Sequence, residues 1–559
     1  MAMTNNEDAR RYTTTGFLEF GTAFMQEFVR GTARPTQGVV NGMQMDPAVH
    51  KDPSVSATLV HQSVAMGGVA YQYMLANTTT GLWTDGEGSV RFNMTELASV
   101  HGKIRDIRPF IDNASTLYHA AILYSESSRY RYDNYDRWSP MALLKELYDT
   151  YIVQSLPLAV MTNLDLNDPT LPPEVLLDAY RLIVVPDASG FTPQQLRALR
   201  QYVDAGGSVL VTGDSLRFDS NGHQVATAVA AAAVANNTSG WVEGGEELLG
   251  LSFVNTSCWR GGNHSWAVTT KGSSNGSSNG SKSWSINSGP ACVNRVLATE
   301  TLTSGRPMEV MMSARVSAII DHGHPQPAHQ QLEQEEEESV PLLWVRHQGS
   351  KGGRMAYFAG VWDGTGGDGA WPSKAGFATE LTAPLIMASM ELLRPQKLLT
   401  LSSGRRLHDI APPKPPCPNP PCPPPPPPGP PAPQVVITTL PSQPLQEAEE
   451  ERRWAVHFLS HGKLDINISI ATLLQLSGAA AADGAGTAGN DNSVTPVSSW
   501  RLGSRYPATA EWSVQLQQQQ EVGVQQSETE AGVLMLSMSE ALPTTFKVAI
   551  IIEKSSFSA

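Results

Sequence analysis

The stretch TPQQLRALRQYVDAGGSVLVTG, residues 192–213, decides the fold of the middle of the chain. Thr192 is a good helix N-cap, Pro193 suits the first helical position, and Gln195 can close a capping box. Apolar residues then recur at helical spacing as far as the pair Gly206–Gly207, which predicts the end of the helix. The run SVLVTG that follows is apolar and rich in β-branched residues, as a buried strand requires. With the apolar run YRLIVVPD directly before it, the stretch predicts a strand–helix–strand unit.

Strands and a helix upstream of this unit continue the same pattern. HAAILYSES (119–127) and PLAVMTNLDL (157–166) have the composition of strands, and PMALLKELYDTYIVQ (140–154) is a helix between them. The order of elements predicts an open, doubly wound α/β domain of the flavodoxin-like class over 112–400. Three low-complexity inserts, at about 222–245, 270–290 and 322–340, are predicted to be disordered.

The first 111 residues alternate between β and α character but supply only about three strands, too few to close a barrel. TGFLEFG (15–21) and QGVVNGMQMD (37–46) resemble strand ends with a helix between them, and 61–75 leads from a helix end into a strand. An amphipathic helix follows at 90–112. The segment 1–111 is therefore predicted to be the C-terminal part of a TIM-type (β/α)8 barrel. We expect the front of the barrel, and the natural N-terminus, to lie outside this chain.

A proline tract separates the C-terminal part of the chain from the rest. Residues 412–433 contain 16 prolines in 22 positions, a composition that forces polyproline II. Such a tract is stiff, so 401–433 is predicted to be a linker. Short alternating runs beyond it, including WAVHFLS, DINISI and FKVAIIIE, predict a small antiparallel β-sandwich over 434–559.

Charge and hydropathy exclude several classes of function. The 559-residue chain has a formal net charge of −14 and no cluster of Lys and Arg, which argues against nucleic-acid binding. No apolar run reaches the roughly 18 residues that a membrane-spanning helix needs. Neither a nucleic acid nor a membrane is therefore a predicted partner, and the sequence predicts no cofactor and no metal site.

Cysteines and asparagines favour an extracellular or cell-wall protein. The cysteines form two local pairs, which are either disulfides of an oxidising compartment or free thiols: Cys258 with Cys292, and Cys417 with Cys422. Glycosylation acceptors are predicted at Asn77, Asn93, Asn113, Asn255 and Asn467. The N-terminal MAMTNNEDARRY lacks the apolar core of a signal peptide. The chain is therefore either cytosolic or preceded by a missing leader, and we favour the leader.

The strand–helix–strand unit is predicted to be scaffold. It contains neither G-x-G-x-x-G nor a Walker loop, so nothing in it cradles a phosphate. A glutamine amidotransferase needs a nucleophilic cysteine at a strand-to-helix elbow, and residues 1–257 contain no cysteine.

The stretch DAYRLIVVPDASGFTPQQLRALRQYVDAGGSVLVTGDSLRFDSNG (178–222) resembles the β-galactosidase trimerisation-type domain of glycoside hydrolase family 42. That domain has a class I glutamine amidotransferase-like fold without the nucleophile. SVAMGGVAYQYML is similar to the last barrel strand of the family and the helix before it. GRMAYFAGVWDG (353–364) is similar to the closing strand of the middle domain, and RRWAVHFLSHGKLDINI (452–468) to the start of the C-terminal β-domain. The resemblance implies a carbohydrate substrate and a homotrimer.

The resemblance also implies retaining glycoside hydrolysis by two carboxylates about 5 Å apart. No part of the chain corresponds to the mid-barrel strand that carries the acid/base. For the nucleophile, the resemblance offers Asp46 or, one strand earlier, Glu19. A structural Glu19 and a turn at Asp46 are the alternatives. Trp83 and Asp85 in GLWTDGEG are candidates for a sugar subsite, against a loop tryptophan that packs on its own domain.

Together these features predict a β-galactosidase-like glycoside hydrolase relative acting on carbohydrate, as a truncated or inactive chain. A non-catalytic extracellular glycan-binding or matrix assembly protein is the alternative, which the proline tract and the glycosylation acceptors favour. A cytosolic amidotransferase-like protein is a third option, which the absent elbow cysteine opposes.

Overall fold

The structure is a computed structural model, and it separates the chain into two compact units. Unit 1 comprises 1–119, 151–159 and 396–559, and unit 2 comprises 120–150 and 160–395. The residues that the structure describes are 2–6, 26–32, 39–44, 60–74, 94–125, 127–128, 147, 158–186, 188–221, 223, 225, 240–258, 264–270, 283–286, 292–298, 308–318, 338–348, 351–361, 385–386, 388–394, 399–401, 435–444, 449–458, 464–476, 497–506, 512–518, 532–538 and 547–556.

Three parallel strands open unit 1. β1 (Ala2–Asn6), β2 (Val39–Gln44) and β3 (Gly68–Met74) pair in the order of the chain. Helical residues 26–32 lie between β1 and β2 in sequence, and helical residues 60–65 lie between β2 and β3. Parallel strands that pair in chain order and alternate with helices are the arrangement of a (β/α)8 barrel wall, so the prediction of a partial barrel is supported.

The predicted elements of 1–111 are confirmed in part. β2 lies within 37–46, and β3 follows a helix end within 61–75. α1 (Met94–Ile107) is the predicted amphipathic helix and is followed by a 3₁₀ turn, Arg108–Phe110, and by β4 (Ser115–Thr116). TGFLEFG lies outside the described residues. The sequence did not predict β1, because AMTNN is short and polar.

Unit 2 contains helical residues at 385–386 and 388–393 in addition to the following strands and helices. In chain order they are β5 (Ala120–Tyr124), β6 (Leu158–Thr162), α2 (Pro173–Ala179), β7 (Leu182–Pro186), α3 (Pro193–Asp204), β8 (Ser208–Thr212), α4 (Gly245–Leu249), β9 (Leu251–Cys258), β10 (His264–Thr270), β11 (Ser283–Ile286), β12 (Cys292–Ala298), β13 (Glu309–Ala318), β14 (Glu338–Gln348), β15 (Gly353–Phe358) and β16 (Gly360–Val361).

The main sheet of unit 2 has nine strands in the order β11-β10-β13-β14-β15-β8-β7-β5-β6. β5, β7, β8 and β15 run parallel. Numbered along the chain, the five strands from β6 to β15 follow the order 2-1-3-4-5, which is that of flavodoxin. The strand order of this part of the sheet agrees with a flavodoxin-like arrangement.

The deciding stretch has the predicted structure. Gln195 N donates to Thr192 Oγ1 at 3.3 Å, and Thr192 N donates to Gln195 Oε1 at 2.9 Å, which closes the capping box. α3 ends at Asp204, and Gly206 takes a φ of +112°, which favours glycine. All five residues of β8 are buried, as the apolar run predicted.

The prediction of disordered inserts is wrong in part. Residues 283–286 form β11, at the edge of the main sheet, and β14 begins at Glu338. Trp241 is fully buried and its Nε1 donates to Leu251 O at 2.6 Å. The sequence did not predict these short ordered segments because they lie in low-complexity stretches, and the apolar residues that they pack against lie elsewhere in the chain.

The C-terminal part of unit 1 is a β-sandwich of two antiparallel sheets, which also include Ser115–Thr116 and Leu399–Leu401 from outside the predicted range 434–559. Its elements are β17 (Leu399–Leu401), β18 (Val435–Pro444), β19 (Glu449–Phe458), β20 (Leu464–Ser469), α5 (Ile470–Leu476), β21 (Val497–Tyr506), β22 (Trp512–Gln518), β23 (Gly532–Met538) and β24 (Lys547–Ser556). One sheet has the order β17-β20-β23-β22, and the other β21-β24-β19-β18-β4. Buried side chains of both sheets share one core, which includes Trp454, Ile551, Ile466 and Leu536.

The five-stranded sheet of the sandwich is buried on both faces. Alternate residues of β24 pack differently: Ile551 joins the core of the sandwich, whereas Ile550 and Ile552 pack with Val60 and Phe110. The barrel-type elements and the sandwich therefore share a hydrophobic core within unit 1. This two-sided burial explains why β24 contains the unbroken apolar run VAIII (548–552). A half-exposed strand would instead alternate between apolar and polar residues.

Candidate functional site

The C-terminal ends of the parallel strands are where a (β/α)8 barrel carries its catalytic residues. Asp46 follows the last residue of β2, Gln44, by two positions in the sequence. The side chains predicted for the site all lie outside the described residues: Glu19, Asp46, Trp83 and Asp85. Their catalytic and sugar-binding roles stay predictions.

Glu27, Arg30 and Tyr118 form a polar triangle that the sequence did not predict. Arg30 Nη1 lies 2.8 Å from Glu27 Oε1 and donates to the Tyr118 hydroxyl at 2.6 Å. That hydroxyl donates to Glu27 Oε2 at 2.8 Å. Burial raises the pKa of the Glu27 carboxyl, and the opposing effects of Arg30 and Tyr118 are smaller. A buried carboxyl group with a raised pKa can act as a catalytic acid. The position of Glu27 in the fold therefore decides between a catalytic and a structural role.

The triangle lies at the opposite end of β3 from the predicted catalytic rim. Arg30 Nη2 donates to the carbonyl of Met66, and Gln26 Nε2 donates to the same carbonyl at 2.8 Å. Gly67 has a φ of +82°, and a Cβ there would lie 2.9 Å from Arg30 Nη2. Met66 and Gly67 directly precede β3, so the triangle fixes the turn at its N-terminal end. Barrel residues at that end contribute to stability, and we assign Glu27 a structural role.

Three buried serines lie at the switch point of the main sheet in unit 2. This point lies between β5 and β7, where doubly wound proteins bind their ligands beyond the carboxyl ends of the strands. Ser125 Oγ donates to Ser189 O at 2.5 Å, and Ser189 N donates to Ser128 Oγ at 2.7 Å. All three serines are buried. A Cβ at Gly190 would overlap the Ser127 side chain, so the two loops are in direct contact. This packing agrees with the prediction that the unit is scaffold.

A second buried network joins β8 and β15 to β12. The Tyr357 hydroxyl donates to Gly213 O at 2.8 Å, and Asn294 Nδ2 donates to Gly213 O and to Tyr357 Oη, each at 3.0 Å. Thr256 Oγ1 donates to Asn294 Oδ1 at 2.7 Å. The polar groups satisfy one another, so the network positions the strands. Asn294 lies in an otherwise ordinary strand sequence, and no local signal marked it.

Two histidines meet in the interior of unit 1. Their rings are edge to face, with centroids 5.6 Å apart, and both side chains are buried: His61 and His457. The sequence predicted no role for His61, which precedes β3, and it did not single out His457. Because the two residues are 396 positions apart, only packing could reveal the pair.

Some predicted modification sites fall on described residues. Asn113 and Asn255 are exposed, which glycosylation requires, whereas Asn467 is half-buried in the middle of a sheet and its Oδ1 is shielded from solvent. The others lie outside the described residues: Asn77, Asn93, Cys417 and Cys422. Glycosylation and the disulfides stay predictions.

Among the described residues, no three His, Cys, Asp or Glu side chains come together to hold a metal ion. Within the same part of the chain, no helix has both the length and the apolar character of a membrane span.

Comparisons with known proteins give partial matches to solved structures. No protein-family model matches the chain, and no curated protein matches it. A β-galactosidase from Bacillus circulans sp. alkalophilus matches at 13% identity and a TM-score of 0.48, over 80% of this chain and 53% of that one. The α-L-fucosidase isoenzyme 2 from Paenibacillus thiaminolyticus matches at 13% identity and 0.49, over 96% and 63%.

A third match is the β-galactosidase from Rahnella sp. R3, at 12% identity and a TM-score of 0.45, over 84% of this chain and 56% of that one. The chain therefore spans between half and two thirds of the length of these enzymes. The substrates named for these enzymes are properties of those enzymes.

Proposed function

We propose that this chain is a glycoside hydrolase relative that acts on carbohydrate, with β-galactosides as the substrate class. The observation that supports it is the succession of two sheets along the chain. A barrel-type parallel sheet, β1–β3, is followed by a flavodoxin-like sheet in unit 2. This is the domain order that the sequence resemblance implies.

Chemistry in this proposal belongs to the barrel-type part of unit 1. At the corresponding end of the other parallel sheet, the buried Ser125, Ser128 and Ser189 hydrogen-bond to one another, which supports a scaffold role for unit 2. The proposed nucleophile is Asp46 or Glu19, which would attack the anomeric carbon and displace the aglycone. Trp83 would stack on the sugar ring, with Asp85 as a hydrogen-bond acceptor for its hydroxyls.

The experiment uses an activated dinitrophenyl 2-deoxy-2-fluoro-galactoside, whose leaving group departs without a proton from an acid catalyst. We expect the full chain to gain one fluorosugar, which mass spectrometry of peptides assigns to Asp46 or Glu19. Asp46→Asn or Glu19→Gln, whichever removes the labelled carboxylate, abolishes the adduct. Asp52→Asn is the matched control, since Asp52 also precedes a proline, and it keeps the adduct. Failure to label either carboxylate overturns the proposed nucleophile.

A non-catalytic glycan-binding or matrix assembly protein is the second candidate. The proline tract 412–433 and the exposed acceptors Asn113 and Asn255 favour it, and both features suit an extracellular or cell-wall protein. Binding to a glycan array without adduct or turnover would support this candidate over the first.

Sedimentation equilibrium tests the homotrimer that the resemblance implies.

A further inference from the structure

Two of the four cysteines lie opposite each other in an antiparallel pair of strands. β12 lies between β16 and β9 in the small sheet of unit 2. The register of β9 and β12 sets Cys258 opposite Cys292, at the ends of the two strands.

The register is supported by side-chain contacts next to this pair. Two positions further along, Thr256 is opposite Asn294, and Thr256 Oγ1 donates to Asn294 Oδ1 at 2.7 Å. Arg295 Nε donates to Ser257 Oγ at 3.1 Å. A slip of the strands by one residue would place Thr256 and Asn294 on opposite faces and break their contact. The opposition of the two cysteines follows from this register.

Directly opposed residues in an antiparallel pair have Cα atoms about 4.5–5.5 Å apart, and a disulfide requires about 4.4–6.8 Å. We therefore propose that Cys258 and Cys292 form a cross-strand disulfide. Each thiol loses its proton, one S–S bond forms, and the two electrons reduce the disulfide of an oxidant to two thiols. The oxidant belongs to the class of small-molecule or protein disulfides. This inference is independent of the proposed function.

The cross-link would close the segment 259–291, which contains two strands of the main sheet. β10 pairs with β13, and β11 pairs with β10 and forms the edge of the sheet. Both ends of this hairpin would then be fixed to the small sheet. The cross-link reduces the number of conformations that the segment 259–291 gains when it unfolds locally. The disulfide therefore makes local unfolding of the hairpin less favourable. The bond would thus anchor the edge of the main sheet.

The test uses the full chain with Cys417→Ser and Cys422→Ser, which retains only Cys258 and Cys292. The protein is folded, diluted, equilibrated with oxidised glutathione and then unfolded in the presence of a thiol reagent. We expect no reactive thiol, and an unreduced digest that contains the peptide of 258 joined to that of 292 within one chain. Two reactive thiols, glutathione adducts or a disulfide between chains overturn the proposal.

Cys292→Ser in the same background is the matched control and should expose one thiol or carry one glutathione. Hydrogen exchange tests the anchoring. Amides of β10 and β11 should exchange more slowly in the oxidised than in the reduced protein, with α3 as an internal reference that does not change. Equal exchange in the hairpin would overturn the anchoring role, whereas the thiol count reports the bond itself.

Discussion

His457 Nδ1 lies 3.4 Å from His61 Nε2, and this contact joins β19 of the sandwich to the helical segment before β3. Both side chains are buried, and the same face of the sheet carries Ala455 and Val548. Burial, with a smaller contribution from His61, lowers the pKa of His457 well below its usual value. A hydrogen bond between two imidazoles needs one donor and one acceptor, so the contact requires at least one neutral ring.

The first prediction is a loss of stability in acid. The folded-state pKa of His457 is depressed below its usual value of 6.5, so the unfolded chain binds a proton first as the pH falls. The stabilisation is complete above that value and declines towards the folded-state pKa, by about 1.4 kcal/mol per pH unit for one proton. Urea unfolding at a series of pH values below neutrality measures this slope.

Two variants separate this effect from other titrations. His457→Phe keeps a ring of similar size but has no proton to bind, so its stability should change less steeply with pH. His223→Gln removes a histidine whose side chain is 80% exposed, and should keep the slope of the unaltered protein. An unchanged slope in His457→Phe would contradict the prediction.

The second prediction concerns the polar triangle. Glu27→Gln leaves the Arg30 guanidinium without its counter-ion, and because that side chain is 31% exposed, water compensates part of the loss. We expect the free energy of unfolding to fall by about 2 kcal/mol. Asp112→Asn is the control: it breaks an exposed pair with Arg108 and should cost under about 0.5 kcal/mol. Equal losses in both variants would be inconsistent with a structural role of the triangle.

The third prediction compares two glycines. A Cβ at Gly353 would overlap the carbonyl oxygen of Val203, which belongs to the backbone of α3, so Gly353→Ala must displace β15 or the helix. We expect a loss of about 3 kcal/mol, measured by denaturant unfolding. Gly102 lies in α1 with nothing within 4 Å of an added Cβ, so Gly102→Ala should instead stabilise by about 0.8 kcal/mol. A neutral Gly353→Ala would show that the contact can relax.

The fourth prediction tests the capping box of α3. Thr192→Ala removes the hydroxyl that accepts from Gln195 N, and should lower stability by about 1 kcal/mol. Thr192→Ser keeps a hydroxyl at the same position and should stay close to the unaltered protein. The comparison uses urea midpoints, and similar midpoints for the two variants would argue that the cap contributes little.

Local signals made α3 and its strands predictable. Thr192, Pro193 and Gln195 specify the start of the helix, and Gly206 its end, through interactions within a few residues of chain. The buried strands β7 and β8 were recognisable because both faces are covered, which leaves an unbroken apolar run. The run FKVAIIIE also predicted a strand, but as an alternating run, and it did not predict that Ile550 and Ile551 pack into different clusters.

The polar clusters could not be predicted, for a different reason. Glu27 and Arg30 have the spacing of a helix-surface ion pair, which is usually exposed. Tyr118 and Met66, far away in the sequence, hydrogen-bond to that pair and connect it to the turn before β3. Asn294 likewise acquires its partners, Tyr357 and Gly213, from other strands.

By itself, the amino-acid sequence determined where α3 begins and ends, that the apolar strands β7 and β8 on either side of it are buried, and that this strand–helix–strand unit lacks a phosphate loop or a nucleophile. The tertiary structure alone decided the nine-strand order of the main sheet, the meeting of His61 with His457, and the strand register that sets Cys258 opposite Cys292. Capping, turn and periodicity signals act over a few residues, whereas these contacts depend on how distant segments share a core, which no local pattern encodes.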